Sequence, residues 1–294
     1  MGAGALAFGI RPRLLRAQAA GVQKLAENLY VIDADGANVV VLASGQDSLM
    51  VDSGPASADN RLSAALGSLG VPRVSTLFNT HYHTDQTGNN ELFHSAGTEI
   101  VAQERTRQWM ATEHWVMDED RYEGGRPKAA LPTKVFLTEE SMNLGGHRID
   151  CGHLTLAHTS GDIYVFFRDA NVVAVGDVAS PERDPSLDWF TGAWIGGRVD
   201  AMDDLLNLMG EQTKVVPAYG PVMTKAEFQA ERDMMEEFRG RAWTMVREGD
   251  GPEDMLEKGV LDGLGRTWKD PYKFVYATCK GLWAHHNKLD HNVV

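Results

Sequence analysis

The stretch that most limits what this chain can fold into is "NTHYHTDQTGNN", residues 79–90. In it His81, His83 and Asp85 alternate directly after the compact apolar run "VSTLF". In an extended loop, residues two apart point to the same side, so all three side chains would converge on one cation. Imidazole suits zinc or iron, and a carboxylate adds charge or a hydrogen-bonding anchor. Two further residues are placed to complete such a sphere: His158 in "LAHTSGD" and Asp177 in "AVGDV", each beside glycine at the end of an apolar strand. Open α/β folds gather their ligands at strand ends, where loops meet.

The 294 residues are 43% hydrophobic and 23% charged, a globular balance with room for a large core. Two domains, or one large α/β domain with a helical tail, both fit this length. The reading adopted is a possible leader remnant or disordered tail over 1–21, a main domain over 22–248 and a helical extension over 249–294. Acidic residues number 41 against 28 basic ones, a net charge of −13. That balance disfavours nucleic acid and anionic membrane as partners and points to a small-molecule substrate. No run approaches the ~18 apolar residues of a membrane span. Cys151 and Cys279 allow one disulfide at most, and neither has metal-type spacing.

At the N-terminus, "GAGALAFGI" is apolar and "RAQAAG" offers an A-x-A site at Ala17 and Ala19. Arg11, Arg13 and Arg16 follow the apolar run instead of preceding it. Two readings stand: the end of an export leader, which would make the protein exported or periplasmic, or a frayed tail on a cytoplasmic one.

Along the chain, "LYVIDADGANVVVLAS" reads as two strands joined by a turn, with "SLMVDSG" as a third. "SADNRLSAALGSLG" has helical spacing, "EIVA" is a strand and "QERTRQWMATEHW" a helix. The polar interval "DEDRYEGGRPKAALP" reads as an exposed loop. Then "TKVFLT", "MNLGGHRID", "HLTLAHT", "IYVFF" and "NVVAVGD" read as strands, before the helix "RVDAMDDLLNLMG", the strand "KVVPA" and a long helix from Thr224. Short helices are expected after residue 249. Two similar successive halves suggest two packed sheets with helices outside.

The arrangement resembles the metallo-β-lactamase-fold superfamily, usually marked by H-x-H-x-D-H. The resemblance runs over about residues 25–225 and rests on "VDSG", "NTHYHTDQTGN", "AHTSGDIYVFF", "AVGDV" and "WIGGRVDAMDDLL". It implies an αββα sandwich with the site at the edge of the sheets. His81, His83 and His158 would form a first metal site, and Asp177 would bridge to a second containing Asp85. The chain departs from the pattern twice. Gln86 replaces the motif's last histidine, and Tyr219 in "PAYGPV" replaces the one expected in a "PGHGPV"-like turn. Gln offers only a neutral carbonyl oxygen, and Tyr ligates well only after losing a proton near pKa ~10. The second site is either disabled or retuned; one tightly held metal is expected.

One zinc on three histidines lowers the pKa of its water to about 7 and makes a nucleophilic hydroxide. Asp85 would then orient that water or accept its proton, and a neutral Tyr219 would donate to a developing oxyanion. The expected function is a metal-dependent hydrolase for an ester, thioester, lactone or lactam. The alternatives are a mononuclear iron dioxygenase, since related enzymes on this fold use two histidines and one carboxylate, and a non-catalytic metal or ligand binder. Asp52 in "VDSG" reads as a turn-former. Trp189, Phe190 and Trp194 are either pocket wall or core, and Gly196 and Gly197 suit a close backbone approach. His285, His286 and His291 read as a solvated terminus; His94, His114, His147 and His153 have no motif around them.

Overall fold

The computed structural model describes residues 21–116 and 120–289, with side chains described to residue 285. The leader-or-tail reading of the N-terminus falls almost wholly outside these residues.

Strands β1 (Val22–Ala26), β2 (Leu29–Ala34), β3 (Ala37–Leu42) and β4 (Ser48–Val51) pair antiparallel in succession. Helix α1 (Asp59–Leu69) then crosses to β5 (Val74–Phe78), which runs parallel to β4. Short helices α2 (Thr84–Thr87) and α3 (Asn90–Ser95) lead to β6 (Glu99–Gln103), followed by α4 (Glu104–Ala111). A hairpin of β7 (His114–Val116) and β8 (Arg121–Glu123) stands apart, and β9 (Lys134–Phe136) completes the first sheet beside β6. The second sheet runs β10 (Glu139–Leu144), β11 (His147–Leu154), β12 (Asp162–Phe167), β13 (Val172–Gly176), β14 (Lys214–Pro217) and β15 (Met223–Thr224). Between β13 and β14 lies α5 (Ile195–Leu208); α6 (Lys225–Glu248), α7 (Pro252–Glu257) and α8 (Pro271–Leu289) follow β15.

Strand periodicity decides how the sheets stack. Successive side chains face opposite ways, so Val40 and Leu42 of β3, with Val51 of β4, join Ile163, Val165 and Phe167 of β12 in one core between the sheets. Their neighbours Val39, Val41 and Met50 turn outward onto Leu62 and Leu66 of α1. Likewise Val173 and Val175 of β13 pack outward against Met202 and Leu205 of α5, Phe238 of α6 and Phe274 of α8. Both faces of each sheet are covered, which is why these strands read as continuous apolar runs. The result is the expected αββα sandwich. Among the described residues, no helix is long and apolar enough to cross a membrane.

Several local expectations needed correction. "MNLGGHRID" is not one strand but the β10–β11 hairpin, turned by Gly145 (φ 58°) and Gly146 (φ 82°), both in the left-handed region that glycine enters without strain. "HLTLAHT" leaves the sheet after Leu154. Strand β1 was not anticipated; it is held by pairing to β2 rather than by a pattern of its own. The helix "QERTRQWMATEHW" stops at Ala111, and Trp115 pairs instead with Tyr122 inside the interval read as a loop. Helix α8, at 19 residues, is not short. Both cysteines are free thiols.

Candidate metal centre

His81 and His83 leave the C-terminal end of β5, in the first sheet, while His158 precedes β12 and Asp177 follows β13, in the second. Two contacts hold these ends together. Ile163 N–H donates to the Thr80 carbonyl at 2.9 Å. Gly176, at φ 57°, passes so near Thr80 that a Cβ there would lie 2.9 Å from Oγ1. Glycine at 176 is therefore required by both conformation and space, and it delivers Asp177 to the histidines.

His81, His83, His158 and Asp177 each place one ligand-capable atom within 4.8 Å of all the others. His81 Nε2 is 3.5 Å and His158 Nε2 3.7 Å from Asp177 Oδ2. His158 Nε2 is 3.2 Å from His83 Nδ1.

The opposite nitrogen of every ring is engaged, and that fixes what faces the centre. His158 Nδ1 donates to the Ser186 carbonyl at 2.9 Å, leaving Nε2 as a lone pair. His83 Nε2 donates to Asp188 Oδ2 at 2.8 Å, which turns Nδ1 to the centre, 3.2 Å from His158 Nε2. Thr80 Oγ1 bonds Asp52 Oδ2 at 2.7 Å and His81 Nδ1 at 3.0 Å; His81 Nε2 is buried and without a hydrogen-bond partner. Three ring nitrogens and a carboxylate therefore face one point, where a bound cation would take the place of the proton that His83 shares with His158. The donor set fits a divalent metal of the zinc or iron type.

The charges follow the same geometry. Burial, with His83 and His158 adjacent, holds the His81 imidazole well below its usual range and so neutral. Burial also opposes charge on His83, but the Asp188 carboxylate outweighs it and pulls the imidazole up to about 9. Burial opposes ionisation of Asp188 too, yet His83 holds it down to about 2. Burial pushes Asp52 up to about 8, against the pull of its two hydrogen bonds from Thr80. Asp52 accepts from the Thr80 N–H at 2.8 Å and sits at φ 61°, so its turn-forming part is joined to a second one, behind His81.

Asp85 lies apart from the four. It is on α2 rather than in extended chain, and its Oδ2 accepts from Tyr219 Oη at 2.5 Å. Burial, then Asp85 itself, raises the Tyr219 phenol above its ordinary pKa and keeps it protonated. The Arg183 guanidinium sits 3.0 Å above the Tyr219 ring centre. Gln86 is fully buried on α2, and neither atom of its amide has a hydrogen-bond partner.

A cleft of about 410 Å³ opens beside His83 and Asp85, lined among others by Tyr82, Val116, Phe190, Arg183, Lys273 and Phe274. The aromatic loop therefore divides: Phe190 faces the cleft, whereas Trp189 and Trp194 pack on the outer core of the second sheet. Gly196 and Gly197 are inside the first turn of α5, where a Cβ on Gly197 would collide with the Leu156 carbonyl. His285 stacks on Trp194 with ring centres 3.7 Å apart. His114 makes an edge contact with Trp109 at 5.0 Å and lies over the Phe190 ring at 6.3 Å. Asp188, Ser186 and Thr80 were missed in the sequence because their roles depend on contacts between distant loops, which no local spacing announces.

Comparison with known proteins agrees with this fold. A metallo-beta-lactamase from Pontibacter korlensis superposes with a TM-score of 0.59 at 17% identity, over 73% of this chain and 98% of that one. The metallo-beta-lactamase DIM-1 gives 0.57 at 16% identity, over 73% and 96%. A double mutant of the sec-alkyl sulfatase PisA1 gives 0.65 at 13% identity, over 91% of this chain and 50% of that one. At these identities the likeness is one of fold. No curated protein sequence matches significantly. Residues 32–220, however, match the sequence profile of the metallo-beta-lactamase superfamily, and the chain belongs to that family.

Proposed function

We propose that the protein is a hydrolase that binds one tightly held zinc and cleaves a small carbonyl compound such as an ester, thioester, lactone or lactam. The observation that carries this reading is the fixed presentation of three inward-facing imidazole nitrogens beside Asp177. His81 Nε2, His83 Nδ1, His158 Nε2 and Asp177 would hold the ion. When bound, it supplies a Lewis acid and water acidic enough to react at neutral pH.

The remaining work falls to Asp85 and Tyr219, which share one proton. Before reaction the phenol O–H is committed to Asp85 and orients that carboxylate. As Asp85 accepts a proton from the attacking water, it ceases to be a good acceptor. The Tyr219 O–H is then released to the oxyanion developing on the substrate. Collapse expels the leaving group, which takes the proton back from Asp85. Val116 and Phe190 offer apolar surface to the substrate body.

The test is elemental analysis of protein purified without added metal, joined to turnover assays on carboxylic esters, thioesters, lactones and lactams. A sulfate ester belongs in the panel because the sulfatase likeness extends over 91% of the chain. Zinc near one equivalent with carbonyl turnover is the expected outcome. Iron with oxygen uptake would replace this reading with an oxygenase, and tight metal without turnover would leave a binding protein.

A further inference from the structure

The loop of residues 178–188 carries both groups that set the outer histidine tautomers: the Ser186 carbonyl, which holds His158, and the Asp188 carboxylate, which holds His83. This loop has no regular structure of its own before Trp189, and its path is fixed by side chains from elsewhere. From inside, the fully buried Arg198 of α5 donates to Ser180 Oγ at 2.9 Å and to the Ser186 carbonyl at 3.3 Å. Glu231 of α6, 3.8 Å from Arg198, accepts from the Ser180 N–H at 2.7 Å.

From outside, the segment between α7 and α8 closes on the same loop. Arg266 donates to the carbonyls of both Ser180 and Arg183. The backbone N–H groups of Lys269 and Asp270 donate to Asp184 Oδ2 at 2.8 and 2.6 Å. Glu231 and residues 266–270 lie beyond the 32–220 segment that matches the family. They grip the one loop that orients two of the histidines.

We infer that residues 266–270 form a clamp that sets metal affinity, with Arg266 and Asp184 as positioning residues acting through Ser186 and Asp188. The inference rests on the metal-site reading above. The physical ground is that a ligating imidazole must be held in one tautomer and one orientation. Groups behind the ligands commonly govern affinity by 10–100-fold. Carbonyls freed from Arg266 would let the loop sample other paths, and the Ser186 and Asp188 acceptors would drift from their rings.

The experiment uses the full chain carrying Arg266→Met, Arg266→Lys or Asp184→Asn. Zinc affinity is measured by competition with a chromophoric chelator, and the visible spectrum is recorded after loading with cobalt(II). The thermal midpoint in excess chelator reports the fold separately. Arg266→Met and Asp184→Asn should each bind zinc about 10–100-fold more weakly. Their cobalt spectra should change, and Arg266→Lys should recover part of the loss. Should Arg266→Met fail to fold, Asp184→Asn carries the same test. Folded variants that bind zinc as tightly as wild type, with an unchanged cobalt spectrum, overturn the clamp alone. Wild type that takes up neither metal overturns the site reading and the clamp together.

Discussion

One proton lies between Tyr219 and Asp85, and it separates what these residues do from what the histidines do. Tyr219→Phe removes the O–H while leaving the four converging atoms untouched. Zinc content should stay at the wild-type value while turnover falls by about 10²–10³, the cost of one lost oxyanion donor. Turnover near wild type would remove Tyr219 from the chemistry. Asp188→Asn should do the reverse: it weakens the hold on His83 Nε2 and should reduce zinc affinity about 10–100-fold. Chelator competition reads that loss, and an unchanged affinity would show that His83 is oriented by packing. At this scale the sequence revealed the residues facing the centre, because His81, His83, His158 and Asp177 sit in short motifs at strand ends. It did not reveal the residues behind them. Asp188 is one acidic residue in an aromatic loop, and only the fold brings it to His83.

At the scale of elements, the long apolar strands were legible because burial on both faces leaves no ambiguity. The hairpin β7–β8 and strand β1 were not, since strands this short are stabilised by their partners and carry little pattern of their own. Two elements give direct tests. Gly197 brings the first turn of α5 against the Leu156 carbonyl, two residues from His158. Gly197→Ala should push the helix off that loop and destabilise the fold by about 1–3 kcal/mol, read as a lower denaturant midpoint. A neutral result would mean that the loop yields without loss.

Asp150 fastens the edge of the second sheet, accepting from Arg168 Nε at 2.6 Å, Ser141 Oγ at 2.9 Å and Arg148 Nε at 3.1 Å. Burial opposes its ionisation, but these donors outweigh burial and hold its carboxyl below the usual range. A depressed folded pKa gives stability that is complete above the unfolded value and disappears as pH falls through the folded one. In chelator, Asp150→Asn should therefore lower the thermal midpoint at pH 7, by the equivalent of about 1–2 kcal/mol. The gap from wild type should begin to narrow as pH falls below about 4 and close as pH passes the lower folded value. A gap that stays constant across the acid range would assign the effect to packing instead of charge.

For the whole molecule, the candidate site is the seam where the two sheets meet: two of the proposed ligands come from the end of β5 in one sheet and two from the loops flanking β12 and β13 in the other. A metal bound there would join the halves of the sandwich as well as serve the proposed chemistry. It binds the folded state alone and should stabilise it by about 2.7 kcal/mol at a free concentration of 100 times Kd. Chelation should accordingly lower the thermal midpoint by several degrees. His158→Ala, which removes an imidazole and with it most of the affinity, should show no chelator response. The number of such metals turns on Gln86 and Tyr219. Gln86 is buried with its amide unpartnered, and Tyr219 keeps its proton and spends it on Asp85, so neither side chain offers a good anionic or imidazole ligand. Wild type should hold one tight zinc and release it to chelator in a single slow phase. The double change Gln86→His and Tyr219→His supplies two imidazoles near Asp85 and Asp177, and a second zinc should bind with a further rise in midpoint. Native turnover should nonetheless fall, because the added cation draws Asp85 into coordination and the phenol donor is gone. A two-zinc variant that turns over faster than wild type would mean that Gln86 and Tyr219 serve no one-metal mechanism.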